Sequence, residues 1–297
     1  MPTIAFLGLG AIGAPMARHL PAHGFDLIVW NRTRARAEQF AKAVRARVAA
    51  TPAEAARESD VVITCLPTSR EVEALLDGDD GLLAGFRRGA ILVDCTSGDP
   101  VTSRHIATRL GERGVAFVDA PVSGGKRGAE EGTLTVMCGG DIASVERARP
   151  VLSAFGKNIV HCGDVGAGDM VKAVNQALLA IHIWATGEGL ATLAKAGVDT
   201  RVALEVINTS SGRSNTSMNL FPERVLSRAF PRTFRLALLD KDLRIAADMA
   251  REVGVPAPLT QLASELFGEA RAELGEEADH VEAVRVIERT AGVEIGT

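Results

Sequence analysis

The 297-residue chain contains no tyrosine. That excludes any site built on a phenolic proton carrier, the Tyr-x-x-x-Lys reductases among them. Lysine is scarce: only positions 42, 126, 157, 172, 195 and 241 carry it, and the other basic residues are arginine. A lysine inside an apolar segment therefore stands out. The formal net charge is −4, so there is no basic field to hold nucleic acid. The four cysteines, Cys65, Cys95, Cys138 and Cys162, form no CxxC pair, which predicts buried free thiols in a reducing compartment and no metal site. No uninterrupted apolar run approaches about 18 residues. The opening MPTIAFLGLG has no positive segment or cleavage signal, so a soluble cytoplasmic protein without a membrane partner is expected.

What is present is a regular alternation. Short β-rich runs fall at Thr3–Leu7, Asp26–Trp30, Val61–Cys65, Ala90–Asp94, Ala116–Asp119, Leu134–Cys138 and Asn158–His161. Helix-period stretches lie between them, at Ala14–His23, Arg34–Val44, Pro52–Glu58 and Val101–Glu112. This predicts an α/β fold with a doubly wound parallel sheet covered by helices on both faces. The alternation stops near Gly163. Beyond it runs a long stretch without proline, Asp169–Ala196, then helical patterns at Arg201–Asn208, Arg235–Val253, Pro258–Leu274 and Val281–Arg289. Two domains are expected: residues 1–162 around the sheet and residues 163–297, all helical.

The stretch GLGAIG, comprising Gly8, Leu9, Gly10, Ala11, Ile12 and Gly13, follows the first strand and opens the first helix. In that context Gly-x-Gly-x-x-Gly is a Rossmann-type dinucleotide signature. The first glycine turns tightly, the second admits the pyrophosphate, the third lets helix and strand approach, and the helix N-terminus attracts phosphate. The alternative is a glycine-rich turn without a ligand. The second strand ends IVWNRT, where an NAD enzyme places a carboxylate for the ribose 2′-hydroxyl. Here stand Asn31, Arg32 and Thr33. A guanidinium pairs with a 2′-phosphate that a carboxylate would repel, so NADP is favoured, with NAD the weaker choice. Alternatively, Arg32 only caps a solvated helix.

Hydride transfer at a carbonyl carbon needs a proton carrier. His19 and His23 belong to the first helix, His105 to a surface helix and His280 to a polar loop; His161 and His182 have the apolar flanks of core histidines. Lysine remains. In DMVKAVNQALLA, Lys172 sits in an apolar helix with Asn175 and Gln176 three and four residues on, sharing one face. Beside an oxidised nicotinamide and partly desolvated, such a lysine loses its proton more readily. Otherwise it is a snorkelling lysine at a domain seam. Two segments suggest an anion site. DAPVSGG offers the Ser123 hydroxyl with the backbone of Gly124 and Gly125, and DCTSGDP puts Thr96 at the carboxyl edge of the sheet. Lys241, in LLDKDLRIA, is the other lysine with apolar flanks, or a surface ion pair with Asp240 or Asp242.

FLGLGAIGAPMA, CLP at Cys65–Pro67, DCTSG, DAPVSGG with GTLTVMCGG, GAGDMVKAVNQ and LLDKDL occur in this order across nearly the whole chain. Together they resemble the β-hydroxyacid dehydrogenases, the 3-hydroxyisobutyrate dehydrogenase family in particular. The resemblance implies a Rossmann domain and a helical domain whose long helix mediates homodimer or homotetramer assembly. It implies Lys172 as the catalytic residue, Ser123, Gly124, Gly125 and Asn175 as substrate-binding positions, and Leu66, Pro67, Thr96 and Lys241 near the cofactor. WNRT resembles the NADP-using bacterial branch. Gln176 departs from the family, many of whose members have Asn-Asn here, as tartronate semialdehyde reductases often do. Glu71 replaces an uncharged cofactor contact, which is not carried over.

The activity implied is an NADP-dependent interconversion of a small β-hydroxyacid and its semialdehyde. 3-Hydroxyisobutyrate and methylmalonate semialdehyde, a valine-catabolism pair, come first. The alternatives are a glyoxylate, succinic semialdehyde or tartronate semialdehyde reductase, and, from another class, a non-catalytic dinucleotide-binding scaffold. Lys172 discriminates between these classes, since imine reductases of this fold replace it.

Overall fold

The run TIAFL becomes the central strand β1 (Thr3–Leu7), buried almost throughout, as a strand covered on both faces must be. The computed structural model describes residues 2–296. From β1 the chain continues through α1 (Gly13–Ala22), β2 (Asp26–Trp30), α2 (Arg34–Ala43), β3 (Arg47–Val48), α3 (Pro52–Arg57), β4 (Val61–Thr64), α4 (Ser69–Ala74), α5 (Leu82–Gly85), β5 (Ile91–Asp94), α6 (Pro100–Gly111) and β6 (Ala116–Asp119). It then forms β7 (Val122–Ser123), α7 (Gly125–Glu131), β8 (Leu134–Gly139), α8 (Ile142–Leu152) and β9 (Gly156–Gly163). These elements belong to a compact unit that runs to Lys172; a second begins at Ala173.

Strands β3-β2-β1-β4-β5-β6 are parallel neighbours in that order, the doubly wound arrangement. Alternate residues face opposite layers. Ile4, Phe6, Val29, Ile63, Val93 and Val118 pack with Met16 and Leu20 of α1 and with α8. Ala5, Leu7, Ile28, Val62, Leu92 and Phe117 pack with Ile106 and Leu110 of α6. Each of these Val, Leu, Ile, Phe and Met side chains contributes about 1.5–3 kcal/mol when removed from water, so the alternation sets the register of every strand. Register aligns Leu7 with Trp30 and Thr64, Thr64 with Asp94, and Asp94 with Asp119. The residues that follow these five therefore emerge along one edge.

Beyond β6 the sheet changes direction. β8 runs antiparallel to β6 and β7, and β9 runs parallel to β8. Helix α7 has seven residues and packs beside α1, too short a connection for the crossover that a parallel return requires.

The second unit is helical. Helix α9 (Ala167–Lys195) has 29 residues, about 44 Å of rise, starts in the first unit and continues into the second. It is followed by α10 (Thr200–Asn208), a π-helix at Thr216–Val225, α11 (Leu236–Glu252), α12 (Pro258–Leu274), a 3₁₀ turn at His280–Ala283 and α13 (Val284–Ala291). Ile183, Leu190, Phe221, Leu239, Leu243, Phe267 and Val284 form its core. By length and composition α9 could cross a membrane, with a mean hydropathy of 1.3. Val171, Val174 and Leu178, three and four residues apart on α9, are about half exposed.

One carboxylate ties the two ends of the α11–α12 hairpin. Asp279 accepts the Thr233 N–H (2.8 Å), the Thr233 hydroxyl (2.9 Å) and the Phe234 N–H (3.0 Å), with Arg224 at 3.4 Å and His280 at 3.0 Å. Burial pushes this carboxyl up, but the bonds from His280, Phe234 and Thr233 outweigh it and hold Asp279 well below the usual carboxylate range. His280 is consequently buried, not part of a polar loop.

Candidate active site

The glycine loop divides its three roles as the motif requires. Gly8 has φ +105°, and a Cβ there would lie 2.3 Å from the Cys65 carbonyl oxygen. At Gly13 a Cβ would lie 2.1 Å from the Gly8 carbonyl oxygen. At Gly10 a Cβ would meet nothing within 4 Å, and the residue is exposed. Gly8 and Gly13 are thus fixed by the protein's own packing, while the open side of Gly10 is where a foreign group can approach the backbone. Leu9 is buried under this loop; Ala11 is exposed and Ile12 half-buried at the start of α1. These residues fit a dinucleotide pyrophosphate.

Asn31 braces the loop from β2. Its Oδ1 accepts the Leu9 N–H at 3.0 Å, and its Nδ2 donates to the Thr33 carbonyl at 3.1 Å. The Asn31 side chain is therefore engaged in holding the loop. Arg32 is exposed and, with Trp30, Asn31, Arg34, Ala37 and Val48–Ala50, lines a cavity of about 170 Å³ at the ends of β2 and β3. Thr33 precedes α2 without a side-chain cap bond.

Further along the edge, the Leu66 N–H donates to Thr96 Oγ1 at 3.0 Å, joining the CLP and DCTSG segments; Pro67 is exposed beside it. Beneath them Asp94 Oδ1 accepts the Thr64 hydroxyl (2.8 Å) and the Thr96 N–H (3.0 Å). Burial raises the Asp94 carboxyl to about 6, although the Thr96 and Thr64 bonds pull it down. Glu71 accepts the Thr68 hydroxyl in the first turn of α4.

After β6, Ser123 ends β7 half-buried, and Gly124 (φ +133°) and Gly125 (φ +63°) are exposed at the start of α7. No side chain but glycine takes both conformations without strain. Helix α9 then brings in Lys172, a residue only 7% exposed. One turn on, Asn175 Nδ2 donates to Gln176 Oε1 (3.1 Å), and Gln176 Nε2 donates to Asp242 Oδ2 (3.2 Å). Lys241, in α11 and half-buried, has its ammonium 3.0 Å from Asp242 Oδ1, one of the two ion pairs that its sequence context offered; Asp240 pairs with Arg244 and Arg271.

The first unit thus brings together the glycine loop, Asn31, Leu66, Thr96 and the buried aspartates. Lys172 ends that unit, and Asn175 and Lys241 belong to the second. Two histidine expectations are corrected: His161 and His182 are exposed, since the apolar runs around them are a sheet edge and an unburied helix stripe. Cys95 and Cys138 are buried free thiols, and Cys65 and Cys162 are half-buried. The sequence reading did not single out Asp94, Asp119 or Asp169. The available signal was an aspartate closing each of two apolar strands directly before a glycine-rich turn.

Residues 3–163 match the NAD binding domain of 6-phosphogluconate dehydrogenase, and residues 166–287 match the family described as NAD-binding of NADP-dependent 3-hydroxyisobutyrate dehydrogenase. The chain is 37% identical to 2-(hydroxymethyl)glutarate dehydrogenase of Eubacterium barkeri, over 98% of this chain and 97% of that one. It is 39% identical to 3-hydroxyisobutyrate dehydrogenase of Pseudomonas aeruginosa, over 90% and 91%. Its fold superposes on Mycobacterium tuberculosis 3-hydroxyisobutyrate dehydrogenase with L-serine, at a TM-score of 0.88 and 32% identity, covering 97% of this chain and 99% of the other. With an open Gly10 in an otherwise closed glycine loop and a buried lysine one turn before Asn175, the chain belongs to the 3-hydroxyisobutyrate dehydrogenase family of β-hydroxyacid dehydrogenases, NAD(P)-dependent enzymes acting on CH–OH groups.

Proposed function

We propose that this protein is an NADP-preferring dehydrogenase of small β-hydroxyacids, with 3-hydroxyisobutyrate the leading substrate and methylmalonate semialdehyde its product. The observation that carries the reading is Lys172: a buried amine, in a chain without tyrosine, one helical turn before Asn175. In this reading Gly8, Leu9, Gly10, Ala11, Ile12 and Gly13 hold the pyrophosphate, and Arg32 meets the 2′-phosphate. Leu66, Pro67 and Thr96 border the nicotinamide end. The Ser123 hydroxyl and the Gly124 and Gly125 N–H groups take the substrate carboxylate, and the Asn175 amide holds the reacting hydroxyl. When bound, the dinucleotide supplies the hydride acceptor. Lys172 Nζ takes the hydroxyl proton as the carbon–oxygen double bond forms, and returns it in reduction.

The relatives' names support a small hydroxyacid, and they differ in which one. Selection among such acids rests on a few methylenes or polar groups. A panel of 3-hydroxyisobutyrate, L-serine, 2-(hydroxymethyl)glutarate and the glyoxylate and tartronate semialdehyde pairs, run with both cofactors, tests substrate and cofactor together. The expected result is the highest kcat/KM for 3-hydroxyisobutyrate with NADP; an equal or higher value with NAD overturns the cofactor preference. Lys172→Ala should lower kcat by about 10²–10⁴-fold with cofactor affinity unchanged. Lys172→Arg should be nearly as inactive, because a guanidinium releases no proton near neutral pH. Turnover within a few-fold of wild type would return Lys172 to a structural role.

We also propose that the exposed Val174 and Leu178 stripe of α9 meets a second copy of the chain, giving a homodimer or a larger homo-oligomer.

A further inference from the structure

The first turn of α9 is fastened by two side chains that lie outside the substrate and cofactor contacts assigned above. A helix begins with N–H groups that have no intrahelical partner, and a local Ser, Thr, Asp or Asn usually supplies one. Ahead of α9 stands Gly166, with φ +93° and no side chain. The missing acceptor comes from a strand 47 residues earlier. Asp119, at the end of β6 and 1% exposed, accepts the Gly166 N–H at 2.7 Å on Oδ1 and the Asp169 N–H at 3.0 Å on Oδ2.

Asp169, inside that first turn and 2% exposed, reaches the other way. Its Oδ1 accepts the Gly98 N–H at 3.0 Å, and its Oδ2 meets the Ser103 hydroxyl at 2.6 Å. Gly98 lies in the connection from β5 to α6, and Ser103 lies in α6. The turn is thus tied to two neighbouring strand ends at once.

Three glycines make room for this. A Cβ at Gly139 would lie 2.5 Å from Asp119 Oδ1, and one at Gly98 would lie 2.9 Å from Asp169 Oδ2. At Gly168 it would lie 2.8 Å from Asp119 Oδ2 and 2.2 Å from the Met137 carbonyl oxygen. The glycines of TSG, CGG and GAG are therefore walls of one buried carboxylate pair.

We propose that Asp119 and Asp169 are positioning residues for Lys172, holding the turn that carries it against the ends of β5 and β6. The proposal rests on Lys172 being the proton carrier. Lys172 follows Asp169 by three residues, so a shift of that turn moves the amine with it. A misplacement of about 1 Å can cost on the order of 10²-fold in rate.

The two carboxylates differ in a way that makes the proposal sharp. Both Asp119 oxygens face N–H donors, so an asparagine there would turn its own NH₂ toward a donor. Asp169 faces one N–H and one hydroxyl, and a hydroxyl accepts as readily as it donates. Asparagine therefore fits position 169 and not position 119. Burial, with the Asp119 charge beside it, raises the Asp169 carboxyl well above its ordinary value, so an uncharged side chain suits that position.

The test uses the full-length enzyme with Asp119→Asn, Asp169→Asn, Asp169→Ala and Ser103→Ala. It measures kcat, KM, cofactor Kd by NADPH fluorescence, and amide hydrogen exchange in the peptide covering residues 166–172. Asp169→Asn should keep kcat within about threefold of wild type. Asp169→Ala and Asp119→Asn should lose about 10- to 100-fold in kcat, with cofactor Kd within about twofold and faster exchange in that peptide. A role in folding alone would reduce the amount of folded protein without lowering kcat per cofactor site. Equal kcat for the two asparagine variants, or wild-type kcat in Asp169→Ala, overturns the proposal. Should Asp119→Asn not fold, Ser103→Ala decides: about a three- to tenfold loss of kcat supports positioning, and none overturns it. Should wild type turn over no hydroxyacid, the function reading fails, and unchanged exchange in Asp169→Ala overturns the clamp by itself.

Discussion

Replacing each glycine of the loop by alanine separates the protein's own needs from those of a bound dinucleotide. At Gly10 the added methyl meets no protein atom within 4 Å, and the backbone is not left-handed. Alanine there removes unfolded-state entropy, so the free protein should be unchanged or more stable by about 0.4–1 kcal/mol. The cost should appear only with cofactor present. A phosphate displaced from the loop loses one or two charge-assisted bonds of about 1.5–3 kcal/mol each, raising Kd by about tenfold at least. Gly13→Ala reverses the pattern. Its methyl would lie 2.1 Å from the Gly8 carbonyl oxygen, a contact that no rotamer relieves, so the free protein should be destabilised before any ligand is added. Urea unfolding without cofactor, paired with NADP and NAD titration by fluorescence, measures both quantities on the same samples. A Gly10→Ala protein that binds both dinucleotides within about twofold of wild type would refute the reasoning and return the motif to an ordinary turn.

Asp94 provides a pH test. Its carboxyl rises from 3.8 to about 6 in the fold, so the folded protein holds this proton more tightly than the unfolded chain does. The group therefore favours folding below about pH 4, and that advantage is lost as pH rises to about 6. Asp94→Asn keeps an Oδ1 for both the Thr64 and Thr96 bonds, so at pH 7 it should be as stable as wild type or more so, by up to about 3 kcal/mol. A loss at pH 7 in urea unfolding contradicts this. For assembly, Val174→Asp with Leu178→Asp should lower the mass seen by light scattering; a wild type that is monomeric at micromolar concentration ends that proposal.

The sheet was legible because its strands are apolar on both faces and its helices on one, so β1, β2 and β6 coincide with their apolar runs. Elements without such a pattern stayed hidden. β3 and β7 have two residues each, α7 opens on glycine, α8 carries Pro150, and the π-helix has no 3.6-residue repeat and contains Pro222. Lys172 and the glycine loop were legible because their neighbours make them anomalous. The buried aspartates were not, because what stabilises them are N–H donors from segments up to 71 residues away, which no local window contains. The direction of β8 was hidden likewise, since it depends on where the short α7 packs.

The Asp279 latch bears on the order in which the helical unit assembles. Its partners at Thr233 are 46 residues distant, and nearly all of that separation is the α11–α12 hairpin. Closing so long a loop by a carboxylate alone would cost about 3 kcal/mol of chain entropy, whereas two packed helices bring the ends together beforehand. The latch is therefore expected to close after the rate-limiting step of folding and to open before that step is reversed. Weakening it by about 2 kcal/mol should leave the refolding rate nearly untouched and speed unfolding about 30-fold. On this expectation Asp279 governs how long the helical unit lasts once formed, and contributes little to how quickly it forms; refolding and unfolding rates of Asp279→Asn measure both.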